Sequence, residues 1–349
     1  ARCKGLKNVK VIVDAAHRLP PSPTYDIVTL VGVLEYARKY FPNKKNDGVI
    51  ALIRHARAFL KPKGLLIVAI ENQLGLKYFA GCDEDHVGTP MFGIEDRYHA
   101  EGVVTFGRRE LGELLYMAGL PAQSWWYPFP DYKLPTVVAS ENALSRSIST
   151  KLQSVVAGAF EMDPQLPTPP LFSLERAWGP VIRNGLGPDL SNSFLVLAGM
   201  KKNESILDGI GDVYYFAVQR KPEYAKKVVF KIHQNDKISI HQELLYPDVS
   251  TSGSSPIKIT VEHSQKFVEG QLWSQRLRSI LSTNGWCLTD LISWANRWYI
   301  EFIKESQLNL SNEILNASTL VAKNLIDAVP RNLIFKENGE GVFIDKEWS

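Results

Sequence analysis

Cysteine is scarce in this 349-residue chain. Cys3, Cys82 and Cys287 are odd in number, far apart and in no C-x-x-C pairing, so neither a disulfide framework nor a zinc-finger spacing is present. A surplus of charge is lacking too. The 40 basic and 37 acidic residues leave a formal net charge of +3, which gives no electrostatic case for nucleic acid or an anionic membrane and leaves small molecules and glycans as partners. No apolar run reaches the roughly 20 residues that cross a bilayer, and no basic, then apolar, signal opens the chain. The expectation is a protein without a transmembrane segment in a reducing cytoplasm.

What is present is alternation of strand-like and helix-like runs. "VKVIV" (9–13) is short, β-branched and ends at Asp14, and "YDIVTLVGVLEY" (25–36) has the same form. Between them and the next strand, Val49, Leu52, Ile53, Ala56, Phe59 and Leu60 recur at three- and four-residue intervals, one face of a helix. "KPKG" then turns the chain into "LLIVAI", and strand, crossover helix and strand predict a parallel α/β sheet. "RRELGELLYMAG" (108–119) predicts a helix with a glycine stop, and "SWWYPFP" and "LPTVVAS", joined by Asp131-Tyr132-Lys133, predict an antiparallel end to that sheet.

The eighteen residues "ENQLGLKYFAGCDEDHVG" (71–88) leave the buried strand and are dense in polar groups. Such loops at the carboxyl ends of parallel strands carry the chemistry of α/β proteins. His86 is the one side chain in the loop with an ordinary pKa near neutrality. Asp83, Glu84 and Asp85 have the charge to orient its imidazole, stabilise the protonated form or hold a metal with it. Asn72, Gln73, Lys77 and Tyr78 offer donors and acceptors suited to sugar hydroxyls, and Trp125, Trp126, Tyr127 and Phe129 offer faces for sugar rings.

"NQLGLKYFAG", "EDHVG", "GIEDRY", "VVTFGRREL" and "YPFPDYKLPTVVAS" occur in that order. Together they resemble the methyltransferase domains of bacterial surface-polysaccharide biosynthesis proteins, and the strand order resembles the later two-thirds of a class I S-adenosylmethionine-dependent methyltransferase. The resemblance covers about residues 1 to 141. It implies an incomplete Rossmann-like sheet with antiparallel closing strands, S-adenosylmethionine as cofactor, and methyl transfer to a sugar nucleotide or glycan acceptor beside other glycan-assembly enzymes. By resemblance, His86 with Glu84 is catalytic, Asp14 meets the cofactor's adenine, and Asn72, Gln73, Lys77, Tyr78 and Tyr98 of "GIEDRY" bind substrate. The family's glycine-rich turn and ribose-binding acid have no counterpart here. Residues 1 to 8 read as the tail of a helix and both ends as cut, so the expectation is an N-terminally truncated domain with an incomplete cofactor pocket, inactive as this fragment.

Residues 142 to 200 read as a helical, proline-rich connector, with five prolines between 162 and 180. From 201 to 349 strands come first ("VYYFAVQR", "KVVFKI", "IKITVEH") and helical spacing later (Ile314, Ala317, Val321, Leu325), which predicts a two-lobed α+β unit. In "DAVPRNLIFKENGEGVFIDKEW", Asp327 precedes Asn332 by five residues and Asp345 follows by thirteen. That pattern resembles kinase-like phosphotransferases of the aminoglycoside and choline kinase type. It implies Asp327 as acceptor of the substrate proton, Asn332 and Asp345 as ligands of Mg2+ on ATP, and Lys231 as the strand lysine. The usual His-Gly is replaced by Leu325-Ile326, and Gly209-Ile210-Gly211 is no phosphate loop, so a degenerate lobe is expected. The alternatives are a small-molecule phosphotransferase with a scaffold-like first half, or a non-catalytic glycan-binding module.

Overall fold

The computed structural model describes all residues except 1–5, 42–46, 146–148, 161–162, 202–209, 235, 250–257, 307–321, 323–324 and 349. Cys3, Gly209, Ile314, Ala317 and Val321 lie outside the described residues. The chain forms two units, one from Ala1–Pro135, Met162–Ala177 and Leu186–Ile210, the other from Thr136–Glu161, Trp178–Gly185 and Gly211–Ser349. Both mix helix and sheet. No described helix is long and apolar enough to cross a membrane.

In the first unit β1 (Tyr25–Val31) runs parallel to β2 (Leu60–Glu71), with Val28 opposite Leu66 and Val31 opposite Ala69. The helix Gly48–Arg57 makes the crossover. Asp47 caps it by accepting from the Val49 N–H at 2.8 Å, and Val49, Leu52, Ile53 and Ala56 form its buried face. β2 is central and its last six residues are nearly all buried, as a strand covered on both faces requires. Its other neighbour is antiparallel β5 (Ser193–Gly199), which also pairs with β3 (Ala122–Phe129), giving the order β1-β2-β5-β3. The helix Arg108–Met117 buries Leu111, Leu114 and Leu115.

Two sequence expectations change here. "VKVIV" (9–13) is not a strand. Val11 and Val13 are 72% and 98% exposed, and β-branched residues make a strand only where a hydrogen-bonded neighbour and a packed face exist. The stretch read as a connector supplies β5, in the middle of the first unit's sheet. Trp125, Trp126, Tyr127 and Phe129 are all buried in β3 rather than displayed for sugar rings.

In the second unit β4 (Val137–Ser140), β6 (Val213–Ala217), β7 (Lys226–Ile232), β8 (Ile238–Leu244) and β9 (Ser264–Lys266) follow one another as an antiparallel sheet. "IKITVEH" contributes only an isolated bridge from Ile259 to Trp348. A small antiparallel sheet joins β10 (Gln271–Leu272), β11 (Leu333–Phe335) and β12 (Gly341–Phe343). Leu325, Ala328, Leu333 and Phe343 form a core there, with Trp273, Trp298, Phe302 and Phe335 packed against it.

Candidate functional site

The parallel strands β1 and β2 end beside each other, and several segments converge on their carboxyl ends. Gly32 follows β1 at φ 61 and donates its N–H to the Ala69 carbonyl. A Cβ there would stand 2.8 Å from the Tyr132 hydroxyl oxygen, so both the backbone angle and the close approach require glycine. The short turn Leu34–Tyr36 then brings Glu35, 1% exposed, beside Glu71, the fully buried last residue of β2.

The loop after β2 supplies Lys77, Tyr78, Glu84, Asp85 and His86, and later segments add Asp131, Lys133 and Gln165. Glu84 is buried and organises the loop, accepting from the His86 and Val87 N–H groups at 2.8 and 2.7 Å and from the Tyr98 hydroxyl at 3.1 Å. His86 is thereby placed with Nε2 at 3.5 Å from Glu71 Oε2 and Nδ1 at 3.2 Å from the Tyr36 hydroxyl. Lys133 lies beside Glu71 Oε1 and also meets Asp85 Oδ1 at 2.9 Å. Lys77 is 1% exposed, with Nζ at 2.7 Å from Asp85, 3.0 Å from Asp131 and 2.9 Å from Gln165 Oε1. Asp85 accepts further from the Tyr78 hydroxyl at 2.6 Å and Gln165 Nε2 at 2.8 Å.

Burial and charge pull these groups in opposite directions. Burial pushes the Glu35 carboxyl up to about 7, with the neighbouring Glu71 charge adding to the rise. Burial also opposes ionisation of Asp85, yet the Lys77 charge and the hydrogen bonds from Lys77, Tyr78 and Lys133 outweigh it and hold Asp85 well below the usual carboxylate range. For His86 burial opposes the proton, but Glu71 beside it prevails and raises its proton affinity. The Tyr36 hydroxyl is shifted up by burial and by Glu35, so it stays protonated at neutral pH.

Four buried atoms of this cluster make no hydrogen bond: Glu35 Oε2, both oxygens of Glu71, and His86 Nε2. The nearby charges of Lys133 and His86 reach Glu71 as ion pairs without hydrogen-bond alignment.

Of the residues expected from sequence, His86, Glu84, Lys77, Tyr78 and Tyr98 meet in this cluster. Their polar atoms are largely engaged by the protein itself. Asn72 is buried, donates to the Asp189 and Ser191 carbonyls and accepts from the Leu74 N–H, and Gln73 donates to the Gly93 carbonyl. Asp14 is exposed, accepts from the Ala15 N–H and faces Arg18 at 3.6 Å. Glu35, Tyr36, Glu71 and Lys133 were missed. The signal was there: Glu71 is an acid closing an otherwise apolar run, and "GVLEY" directly follows the other parallel strand.

In the second unit Asn332 donates its amide to the Asp327 carbonyl at 2.9 Å, and Asp327 Oδ1 lies 4.0 Å from Arg331. Asp345, at φ 61, meets Lys226 rather than Lys231. Lys226 is fully buried between Asp345, Glu347 and Gln242 Oε1. Five residues along β7, Lys231 points to the opposite face. Alternation therefore separates it from Asp345, and the lysine that pairs is the first of "KKVVFKI".

Comparison with known proteins finds no family model that matches this chain and no curated protein that matches it.

Proposed function

We propose that the protein is an S-adenosylmethionine-dependent methyltransferase acting on a sugar or glycan intermediate of bacterial surface-polysaccharide assembly in the cytoplasm. The observation that supports this most is the chain Glu71–His86–Tyr36 at the carboxyl ends of two parallel strands, the place where α/β enzymes gather catalytic groups. It has the logic of a carboxylate–imidazole–hydroxyl triad. The Glu71 carboxylate faces Nε2 and stabilises a proton there, leaving Nδ1 to accept the Tyr36 proton as Tyr36 takes one from the acceptor hydroxyl. Nε2 is buried, so His86 acts through the half-buried Tyr36 rather than directly.

S-adenosylmethionine, when bound, supplies an electrophilic methyl group. The described residues do not make its pocket: no glycine-rich turn follows β1 or β2, and Asp14 is exposed and engaged by its neighbours. No step is therefore assigned to residues around the cofactor. The test is transfer of labelled methyl to glycan acceptors by the protein expressed from its full gene. His86→Ala and Tyr36→Phe should each lower turnover by about two to four orders of magnitude. Turnover equal to the parent in both would refute the triad.

A second reading, a small-molecule phosphotransferase, rests on the Lys226–Asp345 contact and the Asp327–Asn332 loop of the second unit. Asp345 keeps 28% of its side chain exposed and would hold Mg2+ on ATP, whereas the Asn332 amide nitrogen is taken by backbone. Thermal stabilisation by ATP with Mg2+ that disappears in Asp345→Ala would support it, and no stabilisation would count against it.

A further inference from the structure

Glu35 Oε2, the two Glu71 oxygens and His86 Nε2 are buried and without hydrogen bonds. Ligand atoms of the three residues lie within 4.8 Å of one another. Carboxylate oxygens and an imidazole lone pair are all acceptors, and acceptors brought together out of water require either protons or a cation between them. The charges lead to the same point. Among the described residues the buried carboxyls Glu35, Glu71, Glu84, Asp85 and Asp131 outnumber the cations that pair with them, Lys77, Lys133 and, when protonated, His86. Protons or a divalent cation would balance the excess negative charge.

We infer that Glu35, Glu71 and His86 form a binding site for a divalent transition cation of the zinc or manganese class. One imidazole and two carboxylates are the mixed nitrogen and oxygen donors these ions take, whereas magnesium favours oxygen and water. Tyr36 serves as the outer partner: with Nδ1–H donating to the Tyr36 oxygen, the Nε2 lone pair is left facing Glu71. Ligand atoms around zinc stand roughly 3.4 Å apart, from bonds of about 2.0–2.2 Å, so the side chains close by about an ångström. Lys133 competes for Glu71 and keeps Asp85 as partner when it withdraws.

The site stands on its own geometry. Its consequence for turnover rests on the methyltransferase reading. There the cation takes Nε2 and keeps Nδ1 protonated, so His86 cannot accept a proton from Tyr36, and the ion is an inhibitor of the triad.

The experiment is calorimetric titration of the metal-free 349-residue chain with Zn2+ and Mn2+, with Co2+ absorption as the reporter of a nitrogen ligand. One Zn2+ per chain is expected. Glu35→Gln and His86→Gln should each weaken it at least tenfold, His86→Gln should alter the Co2+ spectrum, and Tyr36→Phe should weaken binding about tenfold or more. Lys133→Met should tighten binding about tenfold by removing the competing charge on Glu71. That last variant alters a half-exposed residue and separates ligand binding from mere loss of folding. No Zn2+ binding, or binding unmoved by Glu35→Gln, His86→Gln and Lys133→Met alike, would overturn the site. Either result leaves the methyl-transfer assay of the full gene product to decide the methyltransferase reading separately.

Discussion

Replacing Lys77 with methionine preserves the length of the side chain and deletes the charge that Asp85 and Asp131 share. Lys77 is 1% exposed, so no water can take over. Asp85 retains Lys133, the Tyr78 hydroxyl and Gln165 Nε2. Among the described residues Asp131 retains only the Lys133 N–H on its other oxygen, at 3.0 Å. The stranded charge is therefore chiefly Asp131, and breaking a buried pair from one side costs about 3–5 kcal/mol. We expect the lower part of that range, about 3 kcal/mol, because Asp85 stays partnered. Urea unfolding read by tryptophan fluorescence measures it. The double variant Lys77→Met with Asp131→Asn should be less destabilised than the two single losses combined, by roughly 1–2 kcal/mol, since the amide leaves no buried charge. There is also a pH signature. Asp85 is held below its ordinary value, so its contribution is present above about pH 4 and is lost as pH falls below that. Lys77→Met should flatten this acid limb. A loss under about 1 kcal/mol, or strict additivity in the double variant, would refute the buried network as the clamp on the loop.

Lys226→Met should destabilise the second unit by about 3 kcal/mol in the same assay, since Asp345 and Glu347 lose their common cation, whereas Lys231→Met on the opposite face should change it by no more than about 0.5 kcal/mol. Equal effects would mean that the faces of β7 are misassigned. Gly32→Ala meets both a positive φ and the Tyr132 hydroxyl, and thermal denaturation should show a loss of about 1–3 kcal/mol. Glu84→Gln keeps the shape but weakens the acceptor of two backbone N–H groups, so hydrogen exchange at His86 and Val87 should accelerate and stability should fall by about 1–2 kcal/mol. Unchanged exchange at both amides would remove Glu84 from its organising role.

Local pattern alone determined the elements whose signal is periodic. The helix Gly48–Arg57 has its apolar face written at three- and four-residue intervals, β2 is a run too apolar to sit anywhere but inside, and their succession made β1 and β2 parallel. His86 and Lys77 could likewise be singled out, because side-chain chemistry is a property of the residue type. Pairing is not a local property. "VKVIV" has strand composition but no described neighbour, while "SFLVLAG", hidden behind a proline-rich stretch, inserts between β2 and β3. The two lysines of β7 differ by parity, and only packing decides which parity faces Asp345. The same holds for the cluster. Glu35 follows β1, Glu71 and His86 belong to the stretch that closes β2, Asp131 and Gln165 lie further along the chain, and the shifts of Glu35, Asp85 and His86 arise from burial and from charges brought near by the fold. A sequence names the groups, but their proton affinities depend on what surrounds them in three dimensions.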